Sequence, residues 1–276
     1  MQVHSIISNT ISEDTLKTGH LSIRFMTDGF SLLLEDQSYT PVLLNKFTNT
    51  QNLSKKSVFA ACEDWLETHT ILESFKGELT IISDSLASTL VPKDFFDKEL
   101  LRNYLEGTAQ VFTTDVVKKR KLKKRPFVIV HAIPAAVYGM KEKFSGNIRF
   151  LPLSQVLLSV ADQVNAATHQ RGFALVEVQN GQYNILIIKD DNVQLLNQMK
   201  LRSMQEMVYH TLNTLNQTGF NRKEGPLYIA GIPRDEELQM LKKYVRTVEP
   251  LQYPIPDIDK SAISEHILLA EATKCE

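Results

Sequence analysis

The chain is 276 residues long, 43% hydrophobic and 23% charged, with a formal net charge of −1. That composition supports a sizeable core and excludes a disordered chain, a collagen-like repeat and a small disulfide scaffold. No apolar run approaches the roughly 18 to 20 residues that span a bilayer, and the N-terminus lacks the zones of a secretory signal. The two cysteines, Cys62 and Cys275, make no disulfide framework, so a cytoplasmic location is expected.

Residues 1–18 read as an N-terminal extension. Leu21 to Met26 alternates apolar and polar residues, Asp28-Gly29 follows, and Phe30 to Leu34 is again strand-like. An Asp-Gly pair between two such runs predicts a tight hairpin turn that needs positive φ. Pro41 to Phe47 completes a meander. From Ser54 to Ser74 the apolar period becomes helical, with Val58, Cys62, Trp65, His69 and Leu72 on one face. Glu78 to Ser83 reads as a buried strand. Pro92 is placed at the start of a second helix, with Phe95, Phe96, Leu100, Leu101 and Leu105 inward, because a proline loses no hydrogen bond there. Gln110 to Val117 and Pro126 to Ala132 form a predicted strand pair around a basic run. A short helix (Ala135 to Lys143), a strand (Asn147 to Leu151) and a helix (Ser154 to Ala167) follow.

From Gly172 the programme restarts. Phe173 to Val178, the turn Asn180-Gly181, Tyr183 to Ile188 and Val193 to Met199 form a second meander. Ser203 to Gly219 reads as a helix with Met204, Met207, Val208, Thr211, Leu212 and Leu215 inward, stopped by Gly219. Pro226 to Gly231 is a buried strand, Asp235 to Val245 a helix, Thr247 to Leu251 a strand and Ser261 to Ala272 a final helix. Asp28-Gly29 precedes Asn180-Gly181 by 152 residues, and the helix starts Ser54 and Ser203 lie 149 apart. Order and offset together predict a duplication, with one half over residues 19–152 and the other over 153–276.

A repeated βββαβαβα half with mixed sheets resembles the actin-like ATPase fold, an α/β class built of two ribonuclease-H-like halves. The run Leu21-Ser-Ile-Arg-Phe-Met-Thr-Asp28-Gly29-Phe30-Ser31 resembles the N-terminal signature of an uncharacterised bacterial family with that fold. Thr89-Leu-Val-Pro92, Phe95-Phe96 and Tyr104-Leu105 are similar to it too. The resemblance covers about residues 18 to 250, and it implies a fold without an assigned activity.

Active members of the superfamily hold magnesium and nucleotide between the halves. Each first hairpin presents an Asp-x-Gly turn, and a glycine-rich strand end accepts the adenosine. Carried onto this chain, the first turn is Thr27-Asp28-Gly29 and the second Gln179-Asn180-Gly181, so neither Asp position holds a carboxylate. Ala230-Gly231 resembles the adenosine strand end with one glycine left. Asp28, Gly29, Gln179, Asn180, Gly181, Ala230 and Gly231 are therefore degenerate nucleotide-site candidates. The resemblance implies a pseudo-ATPase: no catalytic residue, no cofactor, and ATP with Mg²⁺ as the alternative to be tested.

Other chemistries find less support. The glycines are too widely spaced for a P-loop or a dinucleotide fingerprint. No two of the seven histidines share a helical turn, and the pair Cys62 and His69 reads as core packing, so no metal is expected. There is no G-x-S-x-G elbow. The local extreme is Lys118, Lys119, Arg120, Lys121, Lys123, Lys124 and Arg125, seven cations in eight residues. Without them the remainder would stand at −8. This anion-binding candidate reads first as a solvated hairpin tip and alternatively as a strand with its lysines turned outward. The expectation is a non-catalytic interaction or assembly protein with a protein partner. The alternatives are an ATPase or kinase with an atypical site, and a nucleic-acid binder using residues 118–125. The sequence is silent on oligomeric state.

Overall fold

The computed structural model describes residues 2–26, 28–48, 55–69, 74–83, 87–108, 110–144, 146–231, 235–252 and 260–275. The chain forms two compact units, Met1–Val156 with Ala272–Glu276, and Leu157–Glu271.

The first unit is built on a six-stranded sheet in the order β1-β4-β3-β2-β5-β9. Its strands are β1 (Gln2–Ser8), β2 (His20–Met26), β3 (Gly29–Glu35), β4 (Pro41–Thr48), β5 (Glu78–Ser83) and β9 (Asn147–Pro152). The meander β2–β3–β4 is antiparallel, and β5 and β9 add in parallel. The N-terminal residues are no loose extension: β1 pairs with β4, Gln2 opposite Thr48. Helix α1 (Glu13–Thr18) follows, capped by Ser12, whose Oγ accepts from the Thr15 N–H at 3.1 Å.

Helix α2 (Lys55–Thr68) buries Val58, Cys62 and Leu66, four residues apart, against Leu21, Ile23, Phe25 and Phe30. Each such side chain contributes about 1.5–3 kcal/mol of burial. Two residues predicted on that face behave otherwise. Trp65 is half-buried, and His69 lies past the helix end, exposed, stacked on Trp65 at 4.1 Å. The expected helix start at Ser54 and the inward Leu72 lie outside the described residues.

The largest departure follows β5. Pro92 ends strand β6 (Ser88–Pro92) rather than starting a helix. It sits on an edge of the three-stranded antiparallel sheet β6-β8-β7, where a missing N–H is tolerated. Three single 3₁₀ turns replace the helix, at Lys93–Phe95, Lys98–Leu100 and Asn103–Leu105. Local bonds close them: Asp97 caps the Glu99 N–H, and the Tyr104 hydroxyl donates to the Phe95 carbonyl while accepting from the Asp97 N–H. Phe95 ends 77% exposed and Leu105 fully buried.

The strand pair at the basic run is also displaced. Arg102 donates to the carbonyls of Phe112, Thr113 and Asp115, holding part of the predicted strand as a turn. Strand β7 therefore begins at Val116 and runs to Lys121, opposite β8 (Phe127–Ile133). Short helices α3 (Ala135–Tyr138) and α4 (Met140–Lys143) return the chain to β9. Helix α5 (Leu153–Thr168) comes next.

The second unit repeats the plan. Its sheet runs β12-β11-β10-β13-β14, from β10 (Phe173–Gln179), β11 (Gln182–Lys189), β12 (Asn192–Lys200), β13 (Leu227–Gly231) and β14 (Val248–Pro250). Order and direction match β4-β3-β2-β5-β9, with β10, β13 and β14 parallel as β2, β5 and β9 are. Helices α6 (Met204–Gln217) and α7 (Asp235–Lys242) pack Met207, Val208, Leu215 and Leu241 onto Val176, Ile185 and Ile229; helix α8 (Lys260–Ala272) follows. Ser203 caps α6 through the Glu206 N–H. Gly219, at φ 64°, ends it as predicted: its N–H bonds the Asn216 carbonyl and the Phe220 N–H bonds that of Leu215. The halves differ in one crossover. Where α7 joins β13 to β14, the three-stranded sheet with α3 and α4 joins β5 to β9.

Candidate functional site

In the first unit Met26 pairs with Gly29 across two intervening residues, of which Thr27 lies outside the described residues. The turn thus falls one residue earlier than Asp28-Gly29. Gly29 is already in β3 and is not among the residues with positive φ. Its role is closeness: a Cβ there would stand 1.8 Å from the Phe47 carbonyl oxygen of β4.

In the second unit Gln179 pairs with Gln182 across Asn180-Gly181, with Gly181 at φ 80°. Here the turn is where the sequence places it. The two hairpins therefore align 153 residues apart rather than 152, so Asp28 matches Gly181 and Met26 matches Gln179.

The second-unit candidates come together. Val178 pairs with Gly231 and Glu177 with Ala230, so the hairpin turn adjoins the end of β13. Gly231 has φ 88°, and a Cβ on it would meet the Val178 carbonyl oxygen at 1.9 Å. Beneath the turn lies a cluster that sequence reasoning missed. Glu177 and Gln179, two apart on β10, share a face, and Asn184 stands opposite Glu177 on β11. Gln179 Nε2 donates to Glu177 Oε1 at 2.8 Å and Asn184 Nδ2 to Oε2 at 2.7 Å, all three side chains being buried. Each carboxylate oxygen thus receives an amide donor, a charge-assisted arrangement suited to a buried anion. The signal was the alternation of polar residues in the otherwise apolar run Phe173 to Gln179.

The basic residues do not form one tip. Lys118, Lys119, Arg120 and Lys121 are strand residues, while Lys123, Lys124 and Arg125 lie in the β7–β8 loop. Lys118 stands over the Tyr138 ring at 5.2 Å and Lys119 over Phe96 at 5.3 Å. Opposite Lys118 on β8 is His131, buried, with no hydrogen-bond partner for Nδ1 among the described residues. Burial, with Arg120 and Lys118 nearby, pushes its imidazole down to about 4, so it is neutral at pH 7.

A second buried cluster of the first unit also went unseen. Glu35, at the end of β3, is 0% exposed; Thr273 Oγ1 donates to its Oε2 at 2.8 Å, and Oε1 has no partner among the described residues. Burial pushes this carboxyl up to about 7. Arg149 holds the same C-terminal stretch, donating to the Cys275 carbonyl at 2.7 Å and to the Thr273 carbonyl at 3.1 Å, and it is ion-paired with Glu78. No local pattern could reveal this, since Glu35 and Thr273 are 238 residues apart. Among the described residues no three His, Cys, Asp or Glu side chains come together as metal ligands, and no helix is long and apolar enough to cross a membrane.

Comparison with known proteins agrees with the topology. A Bacteroides thetaiotaomicron protein with actin-like ATPase fold and unknown function superposes with a TM-score of 0.80 at 20% identity, over 97% of this chain and 100% of that one. The PilM-PilN type IV pilus biogenesis complex matches with a TM-score of 0.59 at 12% identity, over 92% and 98%. The ethanolamine utilization protein EutJ from Carboxydothermus hydrogenoformans gives 0.53 at 9%, over 96% and 92%. These likenesses establish the fold, as the resemblance implied. No curated protein sequence matches significantly. Residues 8–248 match the profile of DUF3822, described as a protein of unknown function; the chain belongs to that family and has the actin-like ATPase fold.

Proposed function

We propose that the chain is a non-catalytic member of the actin-like fold that works as an interaction or assembly protein. The observation that carries this reading is the Gln179–Glu177–Asn184 cluster. Where the resemblance implies a metal-directed carboxylate, the second unit has a neutral amide, and that amide is bonded to Glu177. Glu177 itself has both oxygens taken by amide donors, so freeing it for hydrated Mg²⁺ would strand buried polar groups. The residues present therefore do not fit a magnesium nucleotide. Met26, apolar, stands at the matching place of the first hairpin.

A protein partner is the corresponding proposal. PilM, a fold neighbour, was solved in a type IV pilus biogenesis complex with PilN, which supports a role in assemblies for this architecture. Cys62 and Cys275 are both buried and form no disulfide, which fits the reducing cytoplasm we propose as its location. The test is titration of ATP and Mg²⁺ by calorimetry, with phosphate release measured across a gel-filtration peak. No binding heat and no release are expected. Magnesium-dependent release that follows the chain at a constant ratio to its absorbance would refute the reading.

A further inference from the structure

Strand β7 borders a groove of about 230 Å³ in the first unit. Three consecutive residues, Lys118, Lys119 and Arg120, line it. Successive side chains of a strand point to opposite faces. Lys118 and Arg120 share the face that carries His131 and Ile133 of β8, which also line the groove, so the groove lies over that face, and Lys119 borders it from the strand between them. In the three-stranded sheet β7 has β8 as its single neighbour among the described residues. Its other edge carries backbone N–H and C=O groups that can template a further strand.

The rest of the groove indicates what such a strand would look like. Ile148 and Phe150, two apart on β9, contribute an apolar side, and Lys141 adds a cation from α4. Among the described residues no Asp or Glu lines the groove. His131 is among its lining residues; its Nδ1 is buried, with no partner among the described residues. Positive charge, an apolar wall and an open strand edge together complement an extended peptide bearing carboxylates. Nucleic acid suits it less. Base stacking needs open aromatic faces, and Lys118 and Lys119 already stand over Tyr138 and Phe96.

We propose that β7 receives an extended acidic segment of a partner protein by strand addition, with carboxylates two residues apart facing Lys118 and Arg120. The proposal rests on the interaction-module reading and names the chemistry of the partner. A labelled decapeptide of alternating Glu and Val serves as the probe, read by fluorescence anisotropy at low salt. Binding is expected, weakened about tenfold by Lys118→Glu with Arg120→Glu and hardly by Lys242→Glu, in α7 of the other unit. A peptide N-methylated at alternate residues should bind equally weakly, because strand addition uses its N–H groups. If the double variant fails to fold by circular dichroism, Lys141→Glu carries the same expectation. Unchanged binding by the folded variants, full binding of the methylated peptide, or tighter binding of single-stranded RNA or pyrophosphate would each overturn the proposal. ATP turnover would refute the module reading and with it the ground for this one. Lost peptide binding without nucleotide binding would refute this one alone.

Discussion

Replacing Glu35 by Gln should remove one contribution to the pH dependence of the first unit's stability. Glu35 is fully buried at the end of β3, where burial raises its carboxyl from 4.5 to about 7 against partial opposition from the Thr273 hydroxyl and Lys274. Between those values the folded chain keeps a proton that the unfolded chain has released. Stability is therefore complete below 4.5 and falls as pH rises through 7. At about 1.4 kcal/mol per unit, the full loss approaches about 3 kcal/mol. The Gln variant keeps the shape and cannot ionise. Its advantage over the parent should grow by about 2.5 kcal/mol between roughly pH 5 and pH 9, or roughly 5–10 °C in melting temperature. Thermal melts of both proteins, followed through the single tryptophan Trp65 in the same unit, provide the measurement. Taking the difference matters, because His131, lowered from 6.5 to about 4, gives the opposite slope in both proteins. A gap between the two melting temperatures that does not change with pH would show the reasoning about Glu35 to be wrong.

Further outcomes follow from single contacts. Arg149→Met removes the donors to the Thr273 and Cys275 carbonyls; Cys275 should then react about tenfold faster with an aromatic disulfide, through local opening of the C-terminal stretch. Cys62, whose thiol burial pushes far up, should stay unreactive in both proteins until denaturant is added. Gly231→Ala forces a Cβ onto the Val178 carbonyl at φ 88° and should cost roughly 2–4 kcal/mol in urea unfolding followed by circular dichroism. Ser203→Ala removes the cap of α6 and should cost about 1 kcal/mol in the same assay.

Much of the architecture is legible locally. The second meander, its Asn180-Gly181 turn and the Gly219 helix stop follow from turn chemistry and apolar period, and they stand as read. The turn between Lys189 and Asn192 shows where local reading thins. Asp190 and Asp191 both adopt positive φ, 51° and 65°, without a glycine. Asp191 is held there by Arg171 at 2.8 Å and Asn165 at 3.0 Å, contacts that a two-residue motif does not contain.

The sequence by itself determined the order meander, helix, strand in each half, its repetition and the absence of a carboxylate at the second hairpin's Asp position. These depend on alternation, turn residues and residue identity, which are short-range properties. Tertiary structure alone decided the rest. Pairing with β2 moves the first turn by one residue, and pairing with β4 sets the role of Gly29. Pairing with β8 turns Pro92 into a strand end and half of the basic run into an exposed edge. Pairing across β10 and β11 joins Gln179, Glu177 and Asn184. The physical reason is common to all three: register and burial are set by cross-strand partners that lie outside the segment itself, and one strand segment is compatible with several registers until those partners select one.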